Sequence, residues 1–466
     1  MKINPWLADA VELAEKRRID PQLDVIIEVD PKLQSQVAAA LKRIGVNIIS
    51  TLPGFIRARV PSIAVLEEIE KIEGVRKISY NVPIWPLALG IDELFKRVAV
   101  LRDTLLSKLS SDDLGRLGIK FKPAAILPTI PEFIVTKIAQ LITPFAPAAS
   151  LRNIERQLVT ETRKIIEAPS DNRIRETKVA VIDTGANPHP AFRKLVNTLS
   201  LVPEPPPDAM GHGMWCSTCA FGDPVPTRYG FFVPVASAPG KLFMHVKVFT
   251  AFGPTSAWHI MAAMFRAADW GAKVVNMSLG GPLQGRVDDD PECVLLKQLS
   301  ETYGTIFVVA AGNEGPEEWT ISSPGASPHA ITVAAIDWKT HDTSSYSSRG
   351  PQGSFYRDNP DVFEEDLRKY GDLLLKPDIA APGGDTKTQI VSGVTGWYDS
   401  IYDLIPDGFE PMIGTSMATP HAAGLIALLV DRGAVKSAVE IKRVMSKLGE
   451  KTVDKGWGTI KWSLFE

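Results

Sequence analysis

KVAVID (residues 178–183), KLFMHVKV (241–248), AKVVNM (272–277), TIFVVA (305–310) and AITVAA (330–335) are short apolar runs beyond residue 170 of a 466-residue chain. Each is apolar enough to read as a strand covered on both faces. Helical stretches lie between several of them, notably Trp258 to Trp270 and Glu292 to Tyr303. Strands alternating with helices predict an α/β domain over residues 171–466, built on a mostly parallel sheet flanked by helices.

Upstream, the pattern changes. DVIIEVD (24–30) reads as a strand, and Leu33, Val37, Leu41 and Ile44 then recur at helical spacing, with Gly45 placed as a C-terminal cap. VNIIST (46–51) and FIRARV (55–60) form a strand pair around Pro53-Gly54. Ser62 suits the N-cap of a second helix carrying Leu66, Ile69 and Ile72, which Gly74 stops before the strand VRKISY (75–80). The order β-α-β-β-α-β predicts a small ferredoxin-like α+β domain within residues 1–85. That fold alone fixes no function. Residues 86–170 read as a helical connector. Leu94, Val98, Leu101, Leu105 and Leu109 mark one amphipathic helix, a proline-rich stretch follows, and Leu151 to Ile166 reads as another helix.

The length suits about three domains of roughly 150 residues. A content of 45% hydrophobic and 23% charged residues is ordinary for a globular chain. The net charge of −3 gives no electrostatic case for nucleic acid or an anionic membrane as partner. Three cysteines, Cys216, Cys219 and Cys293, argue against a disulfide framework and for a reducing compartment. The opening MKINPWLADAVELAEKRR lacks the apolar core of a secretory signal. The expected location is the cytoplasm, with secretion after loss of a signal ahead of this numbering as the alternative. The most apolar stretch, Ala124 to Ala149, is broken by Pro128, Pro131, Pro144 and Pro147 and carries Glu132 and Lys137, so no transmembrane segment is expected.

In parallel sheets of this kind, sites form at the carboxyl ends of the strands. Asp183 follows KVAVI directly and Asn313 follows TIFVVAAG. Ser416 lies in GTSMATPHAAGLIALL, where a glycine-bearing turn leads into an apolar helix, and His212 lies in GHGMWCSTCAFG near a helix start. These residue types match the needs of acyl transfer. A serine hydroxyl becomes nucleophilic when an imidazole takes its proton. A carboxylate orients that imidazole and stabilises its positive charge. An asparagine amide and a backbone N–H can stabilise the oxyanion that forms, and a helix N-terminus adds further N–H groups.

VIDTG with His189-Pro190, the block at His212, NMSLGG, AAGNEG, SSRGP, KPDIAAPG and GTSMATPH together resemble the subtilisin-like serine proteases, the subtilases. The resemblance spans roughly residues 175 to 460, and the order aspartate, histidine, serine is the one described for subtilisin. It implies a serine endopeptidase acting through an acyl-enzyme. Ser416 would be the nucleophile, His212 the general base and later acid, Asp183 its orienting partner, and Asn313 the oxyanion donor with the Ser416 N–H. Ser278, Leu279 and Gly280 would pair with an extended protein or peptide substrate as an added strand. Ala310, Ala311 and Gly312 would wall the pocket for the residue before the cut, small side chains there implying a roomy apolar pocket. The first domain resembles the family's propeptide, an intramolecular inhibitor that makes the chain a precursor. The interval from Trp85 to Pro169 is longer than the family's usual junction and leaves the processing site unlocated.

No cofactor is implied for catalysis. Structural calcium stays open at Asp288 to Asp290, whose other reading is a solvated loop. Where many relatives have threonine, histidine and valine or cysteine, this chain has Met214, Trp215 and Cys216, which is expected to alter packing or the substrate rim. Cys216 stands one helical turn after His212 and is expected beneath its imidazole. Cys216 and Cys219 form a C-x-x-C with no second pair, so packed thiols are favoured over zinc. His189 and His421 match structural positions, and His245, His259, His329 and His341 are read as exposed or hydrogen-bonded. Gln352 to Leu375 reads as a surface insertion. Two other functions stay open: a non-catalytic binding protein on the same fold, against which the intact polar set argues, and a peptide ligase that passes the acyl group to an amine.

Overall fold

Val25, Ile27 and Val29 alternate with Asp24, Ile26 and Glu28, and that period of two gives the first strand one apolar face and one mixed face. The computed structural model describes residues 23–81, 83–86, 155–169, 173–189, 191–192, 197–208, 210–223, 225–226, 232–233, 243–250, 255–394 and 408–466. Its N-terminal unit runs β1 (Leu23–Val29), α1 (Gln34–Arg43), β2 (Asn47–Leu52), β3 (Phe55–Val60), α2 (Ile63–Glu70) and β4 (Val75–Tyr80). The sheet is antiparallel with the order β2-β3-β1-β4, the expected ferredoxin-like arrangement. Val25 and Ile27 pack under the helices with Val37, Leu41, Leu66 and Ile69. Ile26 and Phe55, on the other face, join the core of the larger body.

β5 (Pro83–Pro86) follows. The helix expected at Leu94 to Leu109 and the apolar stretch Ala124 to Ala149 lie outside the described residues. Description resumes with β6 (Glu155–Leu158) and the one-turn helix α3 (Val159–Thr162). The helix expected from Leu151 to Ile166 is therefore replaced in part by a strand, which pairs in parallel with residues 388–391. A sheet edge satisfies the backbone groups that a helix would satisfy internally. In so short a segment, the apolar spacing fits either solution.

The larger body begins with β7 (Val179–Asp183), β8 (Asn197–Ser200), α4 (His212–Phe221), β9 (Val225–Pro226) and β10 (Phe232–Val233). It continues with β11 (Phe243–Lys247), β12 (Thr255–Ser256), α5 (Ala257–Asp269), β13 (Val274–Met277), β14 (Leu279–Gly280), α6 (Pro291–Tyr303), β15 (Ile306–Ala310) and β16 (Ile331–Ile336). The insertion supplies α7 (Ser354–Asp358) and α8 (Pro360–Tyr370), and the chain closes with β17 (Ile379–Pro382), β18 (Thr388–Gly393), β19 (Phe409–Met412), α9 (Thr415–Asp431) and α10 (Ala438–Met445). A seven-stranded sheet in the order β17-β16-β15-β13-β7-β11-β8 is parallel throughout. The apolar runs at 178–183, 241–248, 272–277, 305–310 and 330–335 form β7, β11, β13, β15 and β16, and every residue of these strands is buried. α9 is buried from Thr415 to Leu429, so it is apolar on all sides rather than amphipathic. No helix of the described residues is long and apolar enough to cross a membrane.

Candidate active site

Asp183 ends β7, and Ser278 and Asn313 follow β13 and β15, so three chain segments meet at the carboxyl edge of the sheet. His212 opens α4 and Ser416 lies in the first turn of α9. His212 Nδ1 stands 2.6 Å from Asp183 Oδ1, and both side chains are wholly buried. Asp183 Oδ1 also accepts the Thr184 N–H at 2.7 Å. A carboxylate acceptor at Nδ1 fixes the proton there and makes Nε2 the basic nitrogen.

Ser416 Oγ donates to Ser278 O at 3.0 Å, while Ser278 Oγ donates to Ser416 O at 3.0 Å. The second bond has a local cause. Pro420, four residues on, has no N–H to give the Ser416 carbonyl in the helix. Ser278 Oγ and Cys216 Sγ, at 3.5 Å, take its place. Cys216 Sγ also lies 4.0 Å from His212 Nδ1, beneath the imidazole as expected. Burial, and then the Asp183 charge, push this thiol well up, so it stays protonated. Asn313 Oδ1 accepts Thr415 N at 3.0 Å and Thr415 Oγ1 at 2.8 Å, so the amide NH2 is the end turned away from Thr415.

Asp208 carries no motif, yet it builds the approach to His212. Its Oδ1 accepts Thr184 Oγ1 at 2.9 Å, Met210 N at 2.8 Å and Gly211 N at 3.0 Å, and its Oδ2 accepts Met214 N at 2.9 Å. Burial raises this carboxyl, opposed by those N–H donors and by Lys247. Thr184 Oγ1 in turn accepts Gly213 N at 2.7 Å. One carboxylate thus ties the end of β7 to the start of α4. The contact is close: a Cβ on Gly213 would come within 2.5 Å of Gly185 O.

The segments expected to receive a substrate are placed around Ser416. β14 and β12 flank a gap that β5 of the same chain fills, giving the three-stranded order β12-β5-β14. Both pairings are antiparallel, with Leu279 opposite Pro86, Gly280 opposite Trp85, Thr255 opposite Ile84 and Ser256 opposite Pro83. The N-terminal unit is held nearby by Lys77–Asp289 at 2.8 Å and by Trp258 N donating to Asn81 Oδ1 at 2.9 Å. Ala310 ends β15, and Ala311 and Gly312 continue from it. Gly312 (φ +117°) faces Ser322 and Ser348, whose hydroxyls would lie within 2.6 Å of an added Cβ.

Asp288 to Asp290 do not converge on a cation. Asp288 accepts Lys369 Nζ at 2.7 Å and Tyr370 OH at 2.5 Å, and Asp289 pairs with Lys77. Asp290 caps α6 through Glu292 N and Cys293 N and also accepts Ser323 Oγ and Gln284 N. Carboxylates already matched to ammonium, phenol and helix donors do not fit a calcium loop. Among the described residues, the acidic, histidine and cysteine side chains close enough for a metal are Asp183, His212 and Cys216, which the His212–Asp183 contact and the first turn of α4 bring together. Cys219 Sγ lies 3.4 Å from His421 Nδ1, so the two thiols of the C-x-x-C serve different neighbours. Trp215 and Met214 are interior, with Trp215 Nε1 donating to Glu410 O at 3.0 Å, so the departure at this block changes packing. His245 is wholly buried rather than exposed.

Residues 175–458 match the subtilase family, and the chain belongs to it. Pyrolysin of Pyrococcus furiosus is 36% identical over 201 residues, covering 41% of this chain and 14% of pyrolysin. Serine protease AprX of Bacillus subtilis is 30% identical over 304 residues, covering 61% of each. The chain thus spans less than two thirds of the length of these relatives. Thermitase of Thermoactinomyces vulgaris is 29% identical over 63% of this chain and 88% of its own. Among solved structures, the keratinolytic enzyme fervidolysin of Fervidobacterium pennivorans superposes with a TM-score of 0.59 at 17% identity, over 96% of this chain and 61% of that one. The epidermin leader peptide processing serine protease of Staphylococcus aureus gives 0.57 at 16% identity, over 96% and 98%. At such identities the two structures speak for the fold alone.

Proposed function

We propose that this chain is a serine endopeptidase made as a self-inhibited precursor, with peptides and proteins as substrates. The observation that carries this reading is β5, which lies between β12 and β14 as an extended substrate would, beside the Asp183–His212–Ser416 cluster. Ser416 attacks when its hydroxyl turns from Ser278 O to His212 Nε2, which takes the proton. Asp183 holds the imidazole in that tautomer and stabilises its charge. The Asn313 amide NH2 and the Ser416 N–H stabilise the oxyanion. His212 then gives its proton to the leaving amine as the C–N bond breaks, and water activated by His212 hydrolyses the acyl ester, so the mechanism calls on no cofactor.

The N-terminal unit acts as the intramolecular inhibitor, docked through Ile26 and Phe55, Lys77–Asp289 and Asn81. The enzyme body includes residues 155–169, which lie ahead of the expected boundary at 171. In support, β6 pairs with β18, Thr162 Oγ1 lies 2.8 Å from His421 Nε2, and Lys461 pairs with Glu167 at 2.9 Å. Residues 155–169 therefore stay with the enzyme when the inhibitor leaves.

A fluorophosphonate tests the nucleophile. Treating the casein-hydrolysing protein should stop hydrolysis and leave a single adduct, mapped to Ser416. Hydrolysis that survives complete modification, or an adduct elsewhere, contradicts the reading.

A further inference from the structure

We propose that the inserted helices α7 and α8 form the back of the pocket for the residue before the cut, and that Tyr356 is a positioning residue for that pocket's selectivity. The proposal rests on the serine-endopeptidase reading above and adds to it the element that decides which side chain is accepted.

Ser278 O holds Ser416 Oγ on one side of the nucleophile, and Asn313, bonded to Thr415, stands on the other. A side chain whose carbonyl reaches Ser416 therefore falls between the adjoining segments 278–281 and 310–312. Ser322 and Ser323 join these two segments. Ser323 exchanges both backbone bonds with Gly281, at 2.8 and 2.9 Å, and Ser322 N donates to Ala311 O at 3.0 Å.

The layer behind belongs to the insertion. Leu283, Ala311 and Ile321 share one apolar cluster with Tyr356 and Leu374. Gly353, the N-cap of α7, abuts them: a Cβ there would stand 2.8 Å from Ile321 O and 3.3 Å from the Leu283 side chain. Trp319 and Tyr356 each meet the Phe363 ring edge-on, with centroids 5.0 and 5.7 Å away. An alanine wall has little bulk of its own, so the layer packed behind it sets the room in front.

Tyr356 also pins this layer through a polar contact. Wholly buried, its hydroxyl accepts Val287 N at 3.0 Å and donates to Asp366 Oδ2 at 2.7 Å. Asp366 in turn accepts Arg286 Nε at 3.1 Å and pairs with its Nη2. Arg286 and Val287 lie between Leu283 and Asp290, so α7 and α8 grip the loop that leaves the pocket wall. Without the hydroxyl, a buried N–H loses its acceptor and Asp366 loses a donor, which the loop relieves by moving. Leucine, which reaches toward the back of the pocket, responds to that shift more than alanine, which stops short of it.

The test uses acetyl-Ala-Ala-Ala-Leu and acetyl-Ala-Ala-Ala-Ala p-nitroanilides, with thermal unfolding followed on the same samples. Wild type should favour the leucine anilide by about tenfold or more in kcat/KM. Tyr356→Phe should cut that ratio about fivefold or more, through a rise in KM for the leucine anilide. A purely structural role would lower the melting temperature and both rates in parallel, leaving the ratio unchanged, and that result overturns the proposal. If Tyr356→Phe does not fold, Phe363→Ala, at a half-buried position of α8, reads the same ratio, and an unchanged ratio there is equally fatal. Casein hydrolysis by wild type keeps the protease reading standing in either case. Casein and both anilides left intact by wild type overturn both.

Discussion

Asp208 accepts four donors, an arrangement that favours the ionised carboxylate, and two of them are N–H groups immediately ahead of His212. Asp208→Asn would keep the shape, turn one acceptor into a donor facing N–H groups, and remove a negative charge near the imidazole. We expect kcat to fall about tenfold or more, with KM little changed, since a misplaced base costs the transition state more than binding. Losing the charge disfavours the imidazolium, so the acid limb of the pH profile should move to lower pH. An unchanged kcat and pH profile would show that Asp208 merely fills space. Asp183, His212, Asn313 and Ser416 were legible because each stands in a short motif at the end of a strand or the start of a helix. Asp208, Thr184 and Thr415 were not, because their partners are backbone N–H groups and a neighbouring amide, which leave no periodic or spaced signature. The buried state of His245 was missed for a related reason: one polar residue in an apolar strand does not announce which neighbours cover it.

At the scale of elements, the strands of the parallel sheet were readable because burial on both faces demands continuous apolar runs. The ferredoxin-like unit was readable through alternation and glycine punctuation. β6 was not. Arg156 and Gln157 sit within a segment whose apolar spacing also fits a helix, and only the waiting edge of β18 decides for a strand. β5 was invisible for the same reason, since PIWP has no internal pattern and its pairing depends on two short edges brought together by the fold. The insertion at 352–375 was located from sequence, but not its packing. α7 and α8 place Tyr356 and Phe363 over Leu283, Val287 and Ile321, and Asp366 pairs with Arg286. The arrangement braces the loop that carries Asp288 to Asp290.

Across the whole molecule, buried polar groups set how stability depends on pH. Burial holds His245 and His421 at about 4, against the ordinary 6.5. The unfolded chain takes up protons at these histidines near pH 6.5, which the folded chain refuses until about pH 4. Stability is therefore intact above 6.5 and lost as pH falls from 6.5 toward 4. The loss is about 3 kcal/mol for each histidine. Urea midpoints at pH 7.5 and 4.5 should show that fall, and His421→Gln should shrink it; an equal fall in the variant would place its source elsewhere. On the proposed reading, Ser416 both hydrolyses substrate and frees the enzyme from its own N-terminal unit. Intact mass of purified wild type beside Ser416→Ala, before and after incubation with casein, tests it most directly. We expect wild type to shorten from 50.8 kDa and degrade casein while Ser416→Ala stays whole and leaves casein intact. Shortening of purified Ser416→Ala, or casein hydrolysis by it at the wild-type rate, would contradict the claim.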